Sequence, residues 1–202
     1  DQWSTGIALP FTFCFFGNAY NTIYIGSNGI LSFNAAYSGG YCQWPIGAAM
    51  PSAADPVNSI GGPWQDLYPP GGGTIRYITY GAAPCRRFVV SWNGIGMYGC
   101  FSTLATQQLV LYETTNIIDN FIQTKPLCTT WNGGNAIQGI QNQAGTVAFV
   151  QPGRNFPTQW ATTNDGKRWT PSGANTYQIG WYQGSTLISN TASTVVCPTN
   201  TT

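Results

Sequence analysis

Histidine is absent from this 202-residue chain, and charge is scarce. Aspartate, glutamate, lysine and arginine together make up 6% of it, against about 25% in an ordinary globular domain. Without histidine there is no Ser-His or Cys-His couple and no imidazole ligand for a metal. The seven basic and six acidic residues nearly cancel and form no runs, so a basic footprint for nucleic acid or anionic lipid is missing. No apolar stretch approaches the roughly 20 residues that cross a bilayer as a helix, so no transmembrane segment is expected. None of the six cysteines sits in a C-x-x-C pair, which removes the usual spacing of zinc and thioredoxin-type sites. Nothing has helical periodicity over three turns. The chain does not open on a basic segment and an apolar core, and any signal peptide is expected to have been removed already.

What is present is aromatic and strand-like. Aromatic residues make up 14%, the reverse of a disorder signature. Phe11–Asn34 alternates apolar with small or polar residues, breaks at Gly17-Asn18, and turns again at Asn28-Gly29. An Asn-Gly pair between strand-like runs signals a type I′ hairpin, which needs positive φ at both central residues. Ala35–Gly73, rich in Gly, Pro, Ala and Ser, reads as a long excursion. Strands are expected at Thr74–Tyr80, Arg87–Trp92, Thr106–Glu113, Ile117–Gln123, Ala136–Asn142 and Thr146–Gln151, several joined by tight hairpins. The class is therefore all-β, an antiparallel β-sandwich with long Gly/Pro-rich loops. A composition change at Thr170–Ala174 divides it into residues 1–172 and 173–202. The second stretch holds Tyr177–Tyr182 and Thr186–Ile188 as short strands, too few to bury two faces. The chain is expected to be part of a longer one.

An even cysteine count in a histidine-free β chain points to disulfides and an oxidising compartment. In the meander 87–92, 106–113, 117–123, the start of the middle strand lies opposite the end of the third. Cys100 precedes the first of these points and Cys128 follows the second, so the two are expected to pair. Cys14 and Cys42 flank the first hairpin and its excursion and are the next pair expected. Cys85 has no evident partner.

Candidate chemistry is thin. A glycosidase needs two carboxylates about 5–9.5 Å apart; Asp66 with Glu113 or Asp119 is the combination to inspect. The simpler reading puts Glu113 at a strand end and Asp119 on a solvent face, and no enzyme activity is expected. Calcium is a weak candidate at Asp66, whose carboxylate stands beside the loop carbonyls of Gly61–Gln65. Trp44, Trp64, Trp131 and Trp160 fall in Gly/Pro-rich loops where rings could stack on sugars, although packing beneath loops is commoner. Trp92, in a strand, is expected in the core. Tyr177 and Trp181 are candidate interface residues, because an incomplete second unit leaves strands open to a neighbour.

Seven motifs stand in one order: FTFCFFGNAY (11–20), IGSNGILSFN (25–34), GPWQDL (62–67), GGTIRY (72–77), RRFVVSWNGI (86–95), STLATQQLVLYETTNIID (102–119) and NGGNAIQGIQN (132–142). That order resembles the extracellular NIDO-type domain of nidogen and mucin-like surface proteins. It is similar in particular to domains of large Bacteroidota adhesin-like chains associated with gliding motility and exported by type IX secretion. There such a domain precedes Ig-like repeats, which Trp181-Tyr182 and Cys197–Thr202 resemble, so the second stretch would be the start of an Ig-like domain. The resemblance implies an extracellular or cell-surface location and no catalytic residues or cofactor. Its implied partners are a cell-surface or glycan ligand, or neighbouring subunits of a filament-like assembly. The function expected is a non-enzymatic adhesin or fibre module. The alternative is a carbohydrate-binding accessory module or glycosidase.

Overall fold

The computed structural model describes residues 1–172, 181–183 and 186–189. The chain divides into two units, Asp1–Thr170 and Pro171–Thr202. In the first, alternation at the start of the chain builds a hairpin. β1 (Ile7–Phe15) pairs antiparallel with β2 (Asn18–Gly26), and Leu9, Phe11, Phe13 and Phe15 are all buried on one side of β1, as the two-residue period of a pleated strand dictates. Phe16 and Gly17 connect them at φ of 46° and 80°, the positive values a two-residue type I′ turn requires.

The Asn28-Gly29 turn is built differently from the expectation. β2 and β3 (Ile30–Ser32) are joined by Ser27-Asn28-Gly29, in which only Gly29 has positive φ, at 77°. This is a three-residue connection closed by glycine. Asn28 is fully buried instead. Its amide donates to the carbonyls of Cys42 and Gln43, and its oxygen accepts the Leu67 N–H at 3.2 Å.

β4 (Ser59–Trp64), β9 (Ile137–Gln141) and β10 (Ala148–Val150) complete a six-stranded sheet in the order β1-β2-β3-β4-β9-β10. The facing sheet holds β5 (Thr74–Tyr80), β6 (Arg87–Met97), β7 (Cys100–Tyr112), β8 (Ile118–Lys125) and β11 (Thr162–Trp169), in the order β11-β8-β7-β6-β5. All pairings are antiparallel, so the class is the all-β sandwich expected. Phe13, Phe15, Leu31 and Ile60 of the first sheet's side meet Phe88, Val90, Trp92, Leu109 and Leu111 of the second in the main core.

The first sheet is covered on its other face too. Trp3, Tyr24, Ile30, Trp64 and Ile137 pack there against Cys42, Ile46 and Met50. The residues read as a loose excursion are therefore a lid of chain over the sheet, and β4, buried along all six positions, crosses the middle of the sandwich. Side chains of the second sheet reach across to backbone carbonyls of the first. Trp92 Nε1 donates to Gly26 O at 3.0 Å, Gln107 Nε2 to Pro63 O at 3.0 Å, and Asn120 Nδ2 to Gly62 O at 2.9 Å.

Cys100 and Cys128 are disulfide-bonded, with Cα atoms 5.9 Å apart. Cys85 is also in a disulfide. Cys14 and Cys42, expected as a pair, are both free. Strand parity separates them: Cys14 lies between the inward Phe13 and Phe15 and so faces solvent, whereas Cys42 is fully buried among Trp3, Ile30 and Trp64. In the second unit, β12 (Trp181–Gln183) and β13 (Thr186–Ser189) form a two-stranded antiparallel pair. Tyr177 and Cys197 lie outside the described residues, and β12 begins at Trp181.

Candidate functional site

The β6–β7 hairpin is long, and its turn carries the site. Met97 pairs with Cys100, leaving Tyr98 and Gly99 as the connection, with Gly99 at φ 75°. A side chain at Gly99 would meet the Trp131 Cβ at 2.8 Å, so the turn is glycine because another segment lies against it. That segment is the loop after β8, held to the hairpin by the Cys100–Cys128 bridge.

Five rings gather here from four parts of the chain. Tyr98 lies 4.8 Å from Trp131, 5.5 Å from Tyr68 and 5.6 Å from Phe101, centroid to centroid. Tyr68 lies 5.1 Å from Phe101, and Trp44 lies 5.3 Å from Trp131. Interplanar angles run from 40° to 79°, so the rings make a knobbed surface and not a flat row. Phe101 is 54% exposed and Tyr98 36%. Trp131 is held by its N–H, which donates to Asp66 Oδ2 at 2.6 Å. The Asn132 amide donates to the Trp44 carbonyl at 3.0 Å, and the Tyr98 N–H to the Asp66 carbonyl at 3.1 Å.

Asp66, the calcium candidate, thus spends one carboxylate oxygen on an indole. It is buried, and that burial pushes its carboxyl above the usual range despite the hydrogen bond from Trp131. The nearby Asp66 charge, after burial itself, raises the hydroxyl of the exposed Tyr41. Among the described residues, no group of three or more Cys, Asp or Glu is placed to hold a metal ion.

The other carboxylates are spoken for elsewhere. Glu113 follows the far end of β7 and accepts both Arg86 Nε at 2.9 Å and Arg86 Nη2 at 2.7 Å, which holds its carboxyl below the usual range. Asp119, expected on a solvent face, is 3% exposed. It lies on the open face of the second sheet, yet Arg168 covers it with hydrogen bonds of 2.6 and 2.7 Å and Tyr112 donates at 2.8 Å. Burial alone would raise its carboxyl, but these bonds and the Arg168 and Arg87 charges outweigh it. Asp119 sits opposite Val110, ten positions along β7 from Cys100, so at about 3.3 Å per residue it lies on the order of 30 Å from the Asp66 corner, far beyond glycosidase spacing. Neither Glu113 nor Asp119 shares a cleft with Asp66.

The four loop tryptophans divide evenly. Trp44 and Trp131 belong to the aromatic corner. Trp64 is fully buried within β4, donating to Gln43 O at 2.8 Å. Trp160 is 9% exposed and has two cations against its ring: Lys125 Nζ is 4.8 Å and the Arg154 guanidinium 4.6 Å from the ring centroid. Trp92 fills the core as expected. Sequence reasoning missed Tyr68, Tyr98 and Phe101; the usable signal was the run Met97–Phe101, in which two aromatics flank Gly99-Cys100.

A family model described as NIDO related matches residues 1–182. The chain belongs to the NIDO-related family. No curated protein and no solved structure matches it. Membership of the NIDO-related family suggests an extracellular module. Among the described residues, no helix is long and apolar enough to cross a membrane, a statement that does not extend to strands. In this NIDO-related chain the motif GPWQDL supplies the last three residues of β4 and the Asp66 that anchors Trp131.

Proposed function

We propose that this NIDO-related domain is a non-enzymatic extracellular contact module, an adhesin or surface-fibre component, and that it meets its partner through the Tyr68–Tyr98–Phe101–Trp131 corner. The observation that carries the reading is the exposure of Phe101 and Tyr98 on a hairpin tip made rigid by a disulfide. Exposed aromatic anchors on a fixed scaffold are what protein interfaces concentrate, and the low charge around them lowers the cost of desolvation. The dispersal of the carboxylates and the absence of histidine support a non-catalytic role. The order of motifs supports a place in a large surface protein of the Bacteroidota type, preceding an Ig-like unit.

Glycan binding is the second reading, since Trp44 and Trp131 stand together at the surface. The tilt of 40° between them, and the capture of the Trp131 N–H by Asp66, favour an irregular protein surface over a flat sugar face. The test places the chain against a glycan array and against immobilised extracellular matrix proteins, with a Tyr98→Ala/Phe101→Ala variant alongside. Binding to protein that the variant loses, with its fold intact by circular dichroism, supports the proposal. Binding to glycans lost with Trp131→Ala supports the second reading. Equal binding by parent and variants overturns the assignment of this corner.

A further inference from the structure

A sandwich of two open sheets has four edge strands, and unpaired N–H and C=O groups along an edge are a template for another strand. Three of the four are blunted. β1 contains Pro10 and a register shift between Ala8 and Phe13. β10 is three residues long, and the Phe149 carbonyl already accepts the Trp169 indole at 3.1 Å. β11 carries Asp165, Lys167 and Arg168 and is interrupted by Asn164 at φ 51°. Each device is one that discourages strand addition.

β5 has none of them. Its sequence TIRYITY consists of strand-favouring residues with one charge and no proline or glycine. Its pairing with β6 runs unbroken from Thr74↔Asn93 to Tyr80↔Arg87. Among the described residues nothing pairs with its other side, and Tyr77, Ile78 and Tyr80 are 54%, 49% and 57% exposed. Arg76, Ile78 and Tyr80 share the outer face, where with Arg87, Tyr112 and Phe121 they line an open groove of about 660 Å³.

We infer that β5 is an association edge whose partner is β5 of a second copy of this chain, paired antiparallel about a two-fold axis. The strand's own chemistry selects that partner and its register. A two-fold perpendicular to the sheet keeps faces matched, so opposed residues must share parity. Centring on Arg76 would set two guanidinium groups against each other. Centring on Tyr77 leaves Arg76 opposite Ile78, with no aromatic or anionic residue directly facing it. Centring on Ile78 places each Arg76 opposite the partner copy's Tyr80, a cation–π pair on both sides, with Ile78 against its own symmetry mate. The two five-stranded sheets become one of ten strands, and the grooves on their outer faces become continuous.

Sedimentation equilibrium of the 1–202 chain, from low micromolar to near-millimolar concentration, tests the association. The parent should show a reversible monomer–dimer equilibrium. Ile78→Lys opposes two like charges at the axis and should weaken the dimer by about tenfold or more, with an unchanged thermal midpoint at dilutions where both chains are monomeric, because the position is half exposed. The register is tested in a Cys14→Ser background, which removes the exposed thiol. There Ile78→Cys should oxidise to a covalent dimer, whereas Arg76→Cys should do so only when mixed with Tyr80→Cys. A chain that stays monomeric throughout, a dimer indifferent to Ile78→Lys, or cross-linking at 76 with itself each overturns the inference. Tyr98→Ala/Phe101→Ala should leave the equilibrium unaltered, which separates this edge from the aromatic corner.

Discussion

Gln107, in the middle of β7, donates its side-chain amide to the Pro63 carbonyl on the opposite sheet across 3.0 Å. Trp92 and Asn120 make the same kind of crossing from the neighbouring strands. The sheet β4 belongs to comes near enough for this because it is glycine there: a side chain at Gly62 would meet Leu109 at 2.7 Å. Apolar packing alone tolerates sliding of one sheet over the other. Buried polar bonds do not, since any slip leaves a desolvated amide or carbonyl unpaired.

Asn120→Ala is therefore expected to be costly. It removes donors to Gly62 O and Gln108 O and the acceptor for the Gln138 amide. Urea unfolding should show a loss of about 2–4 kcal/mol. Gln108→Ala, at an exposed position of β7, should cost far less.

Opening the Cys100–Cys128 bridge should loosen both the domain and its aromatic corner. The closed loop spans a separation of 28 residues, for which the chain-entropy account gives about 3–4 kcal/mol. The Cys100→Ala/Cys128→Ala variant should unfold at lower denaturant by a matching amount. Peptide mapping of the parent should recover Cys100 joined to Cys128, with Cys14 open to alkylation.

Alkaline pH should stabilise the domain over a limited window. Burial pushes the Lys125 ammonium down to about 8, with the Arg154 charge adding to it. The unfolded lysine, near 10.5, binds its proton more tightly than the folded one. Stability is thus reduced below about pH 8 and rises as pH climbs from there toward 10. Beyond 10 the raised hydroxyls of Tyr112 and Tyr41 oppose further gain. Lys125→Met should flatten the rise in a pH series of thermal midpoints.

Asp66 should behave as an anchor for Trp131 and not as a cation ligand. Calcium and chelator should each leave the thermal midpoint of the chain unchanged. Asp66→Asn keeps an oxygen for the indole and should alter stability by less than about 1 kcal/mol. Trp131→Ala, which empties the corner beside Tyr98 and Trp44, should lower it by about 2 kcal/mol. A rise in midpoint with calcium that Asp66→Asn abolishes would reinstate the metal.

Where alternation was clean, the sequence was readable. Thr74–Tyr80 is a strand over the residues expected, and the Cys100–Cys128 bridge followed from opposing strand ends. β4 was hidden because SIGGPW carries glycine where the facing sheet leaves no room, which reads as loop. β11 was hidden because it buries only Trp169, so no apolar period marks it. The turn at Asn28 was misjudged because its side chain, not its backbone angle, is what the fold uses. Of the site, Trp44 and Trp131 were legible as loop aromatics. Trp64 and Trp160 looked the same in sequence, and only the lid over the first sheet and the two cations around Trp160 set them apart.

The unequal protection of the edges also limits growth. Counted by its sheet edges alone, the sandwich has a valence of one, and joining two copies through β5 leaves no open edge of it for a third. Isologous contact of that kind closes at a pair, whereas a filament requires two unlike surfaces on every subunit. The proline in β1, the brevity of β10 and the charges of β11 therefore act as terminators, and any longer chain of these molecules has to be propagated by contacts outside the sandwich edges.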